Sequence, residues 1–196
     1  MYEIKKCGID LADKIKLSNT KWGYNDYTND VFAQISRDDE GFFVKFTVYE
    51  KNPLREKTEN FQFVHEDSCV ELFANFNPEK SDWYINFEVN ANGVINFAFH
   101  KDRHTKKELT PEDAKSLGIT AEVYDDFWTA SYKIKYDFIK KYYPEFMAED
   151  CSYIKGNIYK CGDKTPVEHY LSYFEVGCEK PDFHRPEYFG KFKVEH

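Results

Sequence analysis

Asp67-Ser68-Cys69-Val70-Glu71-Leu72-Phe73-Ala74-Asn75-Phe76 and, after a short polar loop, Trp83-Tyr84-Ile85-Asn86-Phe87-Glu88-Val89-Asn90 decide the fold of this chain. In the first segment Val70, Leu72, Ala74 and Phe76 alternate with Cys69, Glu71, Phe73 and Asn75. In the second, Trp83, Ile85, Phe87 and Val89 alternate with Tyr84, Asn86, Glu88 and Asn90. A period of two is that of a β-strand with one face turned to a core. Asn92-Gly93 supplies residues that tolerate a positive φ, and Val94 to His100 returns as a third strand. Setting Phe76 opposite Trp83 fixes the antiparallel register. Glu71 then faces Glu88, with Asn86 and Asn90 on the same side, and each strand is expected to bury one side only. Carboxylates, amides and a tyrosine gathered on one face make a ligand platform for neutral polyols. Like charges directly opposed on neighbouring strands also need a compensating lysine, arginine, metal or shared proton.

Working outward, Lys14–Trp22 reads as an entering strand. Val31–Ile35 and Phe42–Tyr49 flank a hairpin turn at Arg37–Gly41, and Glu50–Asn60 reads as a loop placed to rim the polar sheet. Thr110-Pro111-Glu112-Asp113 through Gly118 carries an N-cap, a proline at the first helical position and a terminal glycine, the signature of a short surface helix. Ile119–Val123 and Phe127–Ile134 form a further hairpin, with Trp128, Ala130, Tyr132 and Ile134 inward. Tyr136–Tyr143 makes one or two helical turns that Pro144 stops, and Tyr153–Lys160, His169–Val176 and Phe189–Val194 complete the strands. The expected fold is a single all-β domain over residues 1–196, an antiparallel β-sandwich with one or two short peripheral helices.

The 18 Phe and 15 Tyr in 196 residues favour β-structure, and the chain is long enough to bury a core without disulfide or metal staples. A formal net charge of −8 argues against nucleic acid or an anionic membrane as partner. No apolar run spans a bilayer, and no signal-like hydrophobic segment follows Met1–Lys6. Cys7, Cys69, Cys151, Cys161 and Cys178 are odd in number and scattered. Reduced thiols and a cytoplasmic location are the simplest expectation, although a trimmed secreted chain would look the same.

The blocks Asp67–Phe73, Asn86–Asn90, Lys155-Gly156-Asn157-Ile158-Tyr159 and Asp182-Phe183-His184-Arg185-Pro186-Glu187-Tyr188-Phe189-Gly190 occur in an order that resembles the family 9 carbohydrate-binding modules. The resemblance implies a non-catalytic β-sandwich that holds sugar rings between two aromatic side chains while charged and amide residues bond the hydroxyls. It assigns the principal ligand-bonding glutamate to Glu71. The first stacking tryptophan of the family falls near His65 here and the second on Phe183, so the aromatic clamp is smaller. An arginine of the family is replaced by Glu88. On the bottom-up reading, a pyranose presents C–H faces to rings and hydroxyls to bidentate partners. Phe183, His184 and Arg185 offer both, Tyr170 and Tyr173 add rings, and His65, Lys155 and Asn157 complete the candidate ligand-binding set with Glu71 and Glu88.

Three bland readings stand beside these. Phe183, Tyr188 and Phe189 would close a core, Arg185 would pair with a surface acid, and His65 would cap the Asp67 turn. Metal chemistry is weakly signalled. His100-x-x-x-His104 lies in a basic run that reads as a solvated loop, and no cofactor is required. Relatives of the family carry calcium, for which Asp38, Asp39, Asp125 and Asp126 are the turn aspartates at hand. Two other functions remain open: a glycoside-active enzyme using Glu71 and Glu88 as a carboxylate pair, and a structural or protein-interaction sandwich.

Overall fold

The computed structural model of the chain describes residues 2–20, 22 and 27–195. The strands are β1 (Glu3–Lys6), β2 (Ile15–Lys16), β3 (Val31–Arg37), β4 (Gly41–Val48), β5 (Cys69–Asn75), β6 (Tyr84–Asn90) and β7 (Ile95–His100). They continue with β8 (Lys106–Glu108), β9 (Thr120–Val123), β10 (Trp128–Lys135), β11 (Tyr153–Gly162), β12 (His169–Ser172) and β13 (Gly190–Val194). Two short helices, α1 (Pro111–Ser116) and α2 (Tyr136–Tyr142), sit at the periphery.

The strands run in the order β8-β7-β6-β5-β11-β13-β1-β3-β4-β10-β9, with β12 beside β11 and β2 beside β3. This path folds over on itself into two facing layers. The apolar rows of β5, β6 and β7 meet those of β3, β4 and β10 in one continuous core. Phe42 packs on Phe76 with ring centroids 5.8 Å apart, and Phe87 stacks on Tyr132 at the same distance. Trp128, Ala130, Tyr132 and Ile134 are all buried inward, as their alternation requires. Thr110 and Asp113 close a reciprocal capping box on α1.

Three features depart from the sequence expectation. First, β1 runs parallel to both neighbours, pairing Glu3 and Ile4 with β13 and Lys5 and Lys6 with β3. The sandwich is therefore mixed, and one strand passes from one layer to the other. Second, the entering strand shrinks to Ile15–Lys16 plus a bridge from Asn19 to Ser172, Lys21 lies outside the described residues, and His169–Val176 is a strand only to Ser172. Third, β5 and β6 are buried on both faces, because the segments around 50–66 and 173–189 lie across the polar side of their sheet. That side is the floor of a cavity rather than an open platform.

Candidate functional site

Register lays the floor out as a lattice. Glu71 sits between Tyr159 on β11 and Glu88 on β6, and Asn96 on β7 follows Glu88. The next row is Asn157, Phe73, Asn86 and Ala98, and at the other end Cys161 lies opposite Cys69 and Cys69 opposite Asn90. Above these rows is a cavity of about 400 Å³. Its floor includes Glu71, Phe73, Asn86, Glu88, Asn96 and Cys161, and its wall includes His65, His100, Arg103, Asp163, Phe183 and His184. The volume lies toward the small end of the range of roughly 300–1,000 Å³ typical of ligand pockets.

The two glutamates face each other as the register predicts, and their environments differ. Glu88 accepts from Asn86 at 2.6 Å and from Asn96 at 2.9 Å, while its own burial raises its pKa against that pull. Among the described residues, Glu71 accepts only the Cys161 thiol, 2.9 Å away. Burial pushes the Glu71 carboxyl well above the usual carboxylate range, and Cys161 and Glu88 push in the same direction. Raising the Glu71 carboxyl toward its neutral form eases the like-charge opposition. His65 adds little, its ring nitrogens standing 4.0 Å from both Glu88 and Asp163.

The wall is built by two segments held by named bonds. Asp67 accepts from the Lys57 amide and the Asn90 side chain, both at 2.8 Å, and Asn92 bonds the Arg55 and Lys57 carbonyls. Asn90 accordingly serves the rim loop and does not face the cavity. Gly93 turns this hairpin at a φ of 77°. Phe61 also has a positive φ, 68°, a strained value for a bulky residue. It is held there by its amide on Ile95 at 2.7 Å and its ring on Phe97. The chain then delivers Phe63 to the lip of the cavity, where it is 66% exposed with its ring 5.6 Å from that of His65.

On the opposite wall, Phe183 lies flat on Tyr159, with centroids 4.0 Å apart and planes within 7°. One face of the Phe183 ring is thereby used inside the protein. His184 is wedged among Phe73, His100 and Tyr84, whose hydroxyl is 2.9 Å from His184 Nδ1. Burial, with help from neighbouring His100, lowers the His184 pKa to about 3, so the ring is neutral. Asp182 accepts from Arg103 at 2.7 Å and from the His184 amide, tying the wall to the basic loop after β7.

Of the residues singled out in the sequence, Glu71, Glu88, His65, Phe183 and His184 converge on the cavity, as does Tyr170. Arg185, Lys155, Asn157 and Tyr173 do not. Arg185 points outward and pairs with Glu187 at 2.7 Å. Lys155 shares the floor's face but sits farther along β11, in a separate depression with Asn75 and Phe189. Asn157 is fully buried and clamps the Phe174 backbone through both of its side-chain atoms, and Tyr173 packs into the core beside Phe192. The basic run also reads differently, since His100 is a buried wall residue and Lys106–Glu108 forms edge strand β8. Three of the four turn aspartates weighed for calcium are engaged with lysines: Asp38 with Lys133, Asp39 with Lys6 and Asp126 with Lys51. Phe63, Asn96, Arg103 and Asp163 are cavity residues that sequence reasoning passed over. For Phe63 a signal existed, an aromatic two residues before His65 in a polar loop.

No protein of curated function matches the chain in sequence. The fold is shared with a "putative carbohydrate-binding protein" of Bacteroides uniformis, at 22% identity, with 99% of each chain covered and a TM-score of 0.84. It is shared too with a family 9 carbohydrate-binding module of Caldicellulosiruptor kristjanssonii in complex with cellotriose, at 10% identity and a TM-score of 0.69, covering 99% of this chain and 93% of that one. A family 9 module from the same organism in complex with glucose matches at 12% identity and a TM-score of 0.65, covering 98% and 94%. The sequence model of carbohydrate-binding family 9 matches residues 8–194, nearly the whole length, and the chain belongs to that family.

Proposed function

We propose that the chain binds mono- and short oligosaccharides without acting on them, in the cavity above β5, β6 and β7. Family membership supports carbohydrate as the ligand class. The observation that carries the site assignment is the pairing of an exposed aromatic lip, Phe63, with a buried floor of carboxyl and amide groups. A pyranose has that composition in reverse: an apolar ring face and a rim of hydroxyls. Glu88 uses two of its acceptor positions on Asn86 and Asn96 and retains others for sugar hydroxyls. Asn96 offers its carbonyl oxygen, Arg103 and His65 offer donors at the wall, and Phe63 covers the ring.

The test is isothermal titration of the reduced protein with glucose, cellobiose, cellotriose and a wider neutral-sugar panel, with product analysis after long incubation. Saturable heat without hydrolysis is the expected result. Released sugar would move the assignment to the Glu71/Glu88 pair as an enzyme, and absence of heat across the panel would sink the site assignment.

A further inference from the structure

At one end of the cavity floor stands a cluster two of whose members, Cys69 and Cys161, take no part in the proposed sugar contacts. Cys69 and Cys161 are directly opposed on β5 and β11, and Glu71 lies two residues along the same face from Cys69. One sulfur from each cysteine and one carboxylate oxygen of Glu71 all fall within 4.8 Å of one another. All three residues are buried. The Cys161 sulfur also lies 3.7 Å from the His65 carbonyl, so the cluster is closed beneath the rim loop. Cys161 and Glu71 line the cavity, so one side of the cluster faces the space in which a ligand would sit.

We infer that Cys69, Cys161 and Glu71 form a binding site for a thiophilic divalent cation of the zinc class, with its fourth coordination position open to the cavity. Two sulfurs and one oxygen converging from two adjacent strands match the three-protein-ligand pattern of zinc sites that keep an exchangeable position. Strand pairing fixes the spacing of the ligand-bearing backbone in advance, leaving only small side-chain rotations to close the tetrahedron. The donor set rejects hard cations, since calcium and magnesium take oxygen ligands throughout. Binding exchanges the ligand protons for the metal: the thiols and the carboxyl release H⁺ to solvent, and no electron is transferred. The site stands on these three side chains and not on the sugar assignment.

The experiment uses the full chain, kept reduced, stripped with a chelator, re-buffered and titrated with Co²⁺. One equivalent should produce a thiolate-to-cobalt charge-transfer band in the near ultraviolet together with tetrahedral d–d bands, and one equivalent of Zn²⁺ should abolish both. Cys69→Ser and Cys161→Ser should each weaken Co²⁺ binding by at least ~100-fold, more than loss of an outer-shell partner does. A rise in the thermal midpoint of the unmodified protein with Zn²⁺, absent in the serine variants, keeps the test sound should those variants be less stable. A Co²⁺ spectrum without a charge-transfer band, or binding unchanged in the Cys69→Ser/Cys161→Ser double variant, overturns the proposal. Sugar titration in the presence of chelator reads the carbohydrate site separately, so either assignment can fail alone.

Discussion

Glu71 and Glu88 are opposite each other, yet their substitution should have unequal consequences for stability. From the sequence, Glu88→Gln looks tolerated or stabilising because it removes a charge from a crowded pair. The structure reverses that expectation. Two amide groups donate to Glu88, and a glutamine there has one acceptor oxygen for two donors. Glu88→Gln is expected to cost about 1–2 kcal/mol, near 4 °C in thermal midpoint. Burial raises the Glu71 pKa and so favours a neutral side chain there, which glutamine closely mimics, and Glu71→Gln should leave the midpoint within about 1 °C. Differential scanning calorimetry of both variants settles the order, and a Glu88→Gln midpoint at or above that of the unmodified protein would contradict it. Phe63 offers the complementary measurement. It is largely exposed, so Phe63→Ala should fold normally and lose about 1 kcal/mol of sugar affinity, roughly 5-fold in Kd. Unchanged affinity by titration would remove Phe63 from the site.

At the scale of elements, β11 holds the floor in place. It pairs with β5 along one edge and with β12 and β13 along the other. Gly156 lies where β11 crosses between Ala74 and Gly190, and an added Cβ would fall 2.2 Å from the Phe73 carbonyl oxygen. Gly156→Ala should cost about 3 kcal/mol by forcing these strands apart, visible as a lowered urea midpoint; a midpoint within error of the parent would show that the strand shifts freely. The meander β5–β7 was legible in sequence because period-two alternation and the Asn92-Gly93 turn fix its register locally. Strand β1 was not, since its parallel partners lie about thirty and nearly two hundred residues away and leave no local mark. Parity along a strand likewise tells which face Lys155 and Asn157 share, while their separation from the cavity depends on how the segment around 173–189 drapes over the sheet. Arg185 stood next to two true wall residues in sequence, and the turn at Pro186 sent its side chain the other way.

For the molecule as a whole, buried imidazoles contribute a stability that is sensitive to acid. Burial, reinforced by the Lys160 ammonium 2.5 Å from its ring, lowers the His169 pKa to about 2, and burial lowers that of His184 to about 3. Both are neutral in the folded protein and titrate near 6.5 when unfolded. Their contribution to stability is complete above pH 6.5 and is lost as pH falls from there toward the folded values. Each contributes a slope of up to about 1.4 kcal/mol per pH unit in that window. The raised carboxyls of Glu71 and Glu88 act in the opposite sense over the same range, so the imidazole contribution is read as a difference: between pH 6.5 and 4, His184→Phe should lose less urea midpoint than the unmodified protein, and parallel profiles for the two would contradict this account. Strand β1 carries a consequence of another kind. Because it runs parallel to β13, tension applied between Tyr2 and Val194 pulls the two strands along their length in opposite senses. The bonds from Lys193 to the Tyr2 carbonyl and from Glu195 to the Ile4 carbonyl are then loaded together instead of one after another. The same strand is stitched into the second layer through Lys5 and Lys6, so the clasp resists mechanical extension as a sheared seam rather than a zipper.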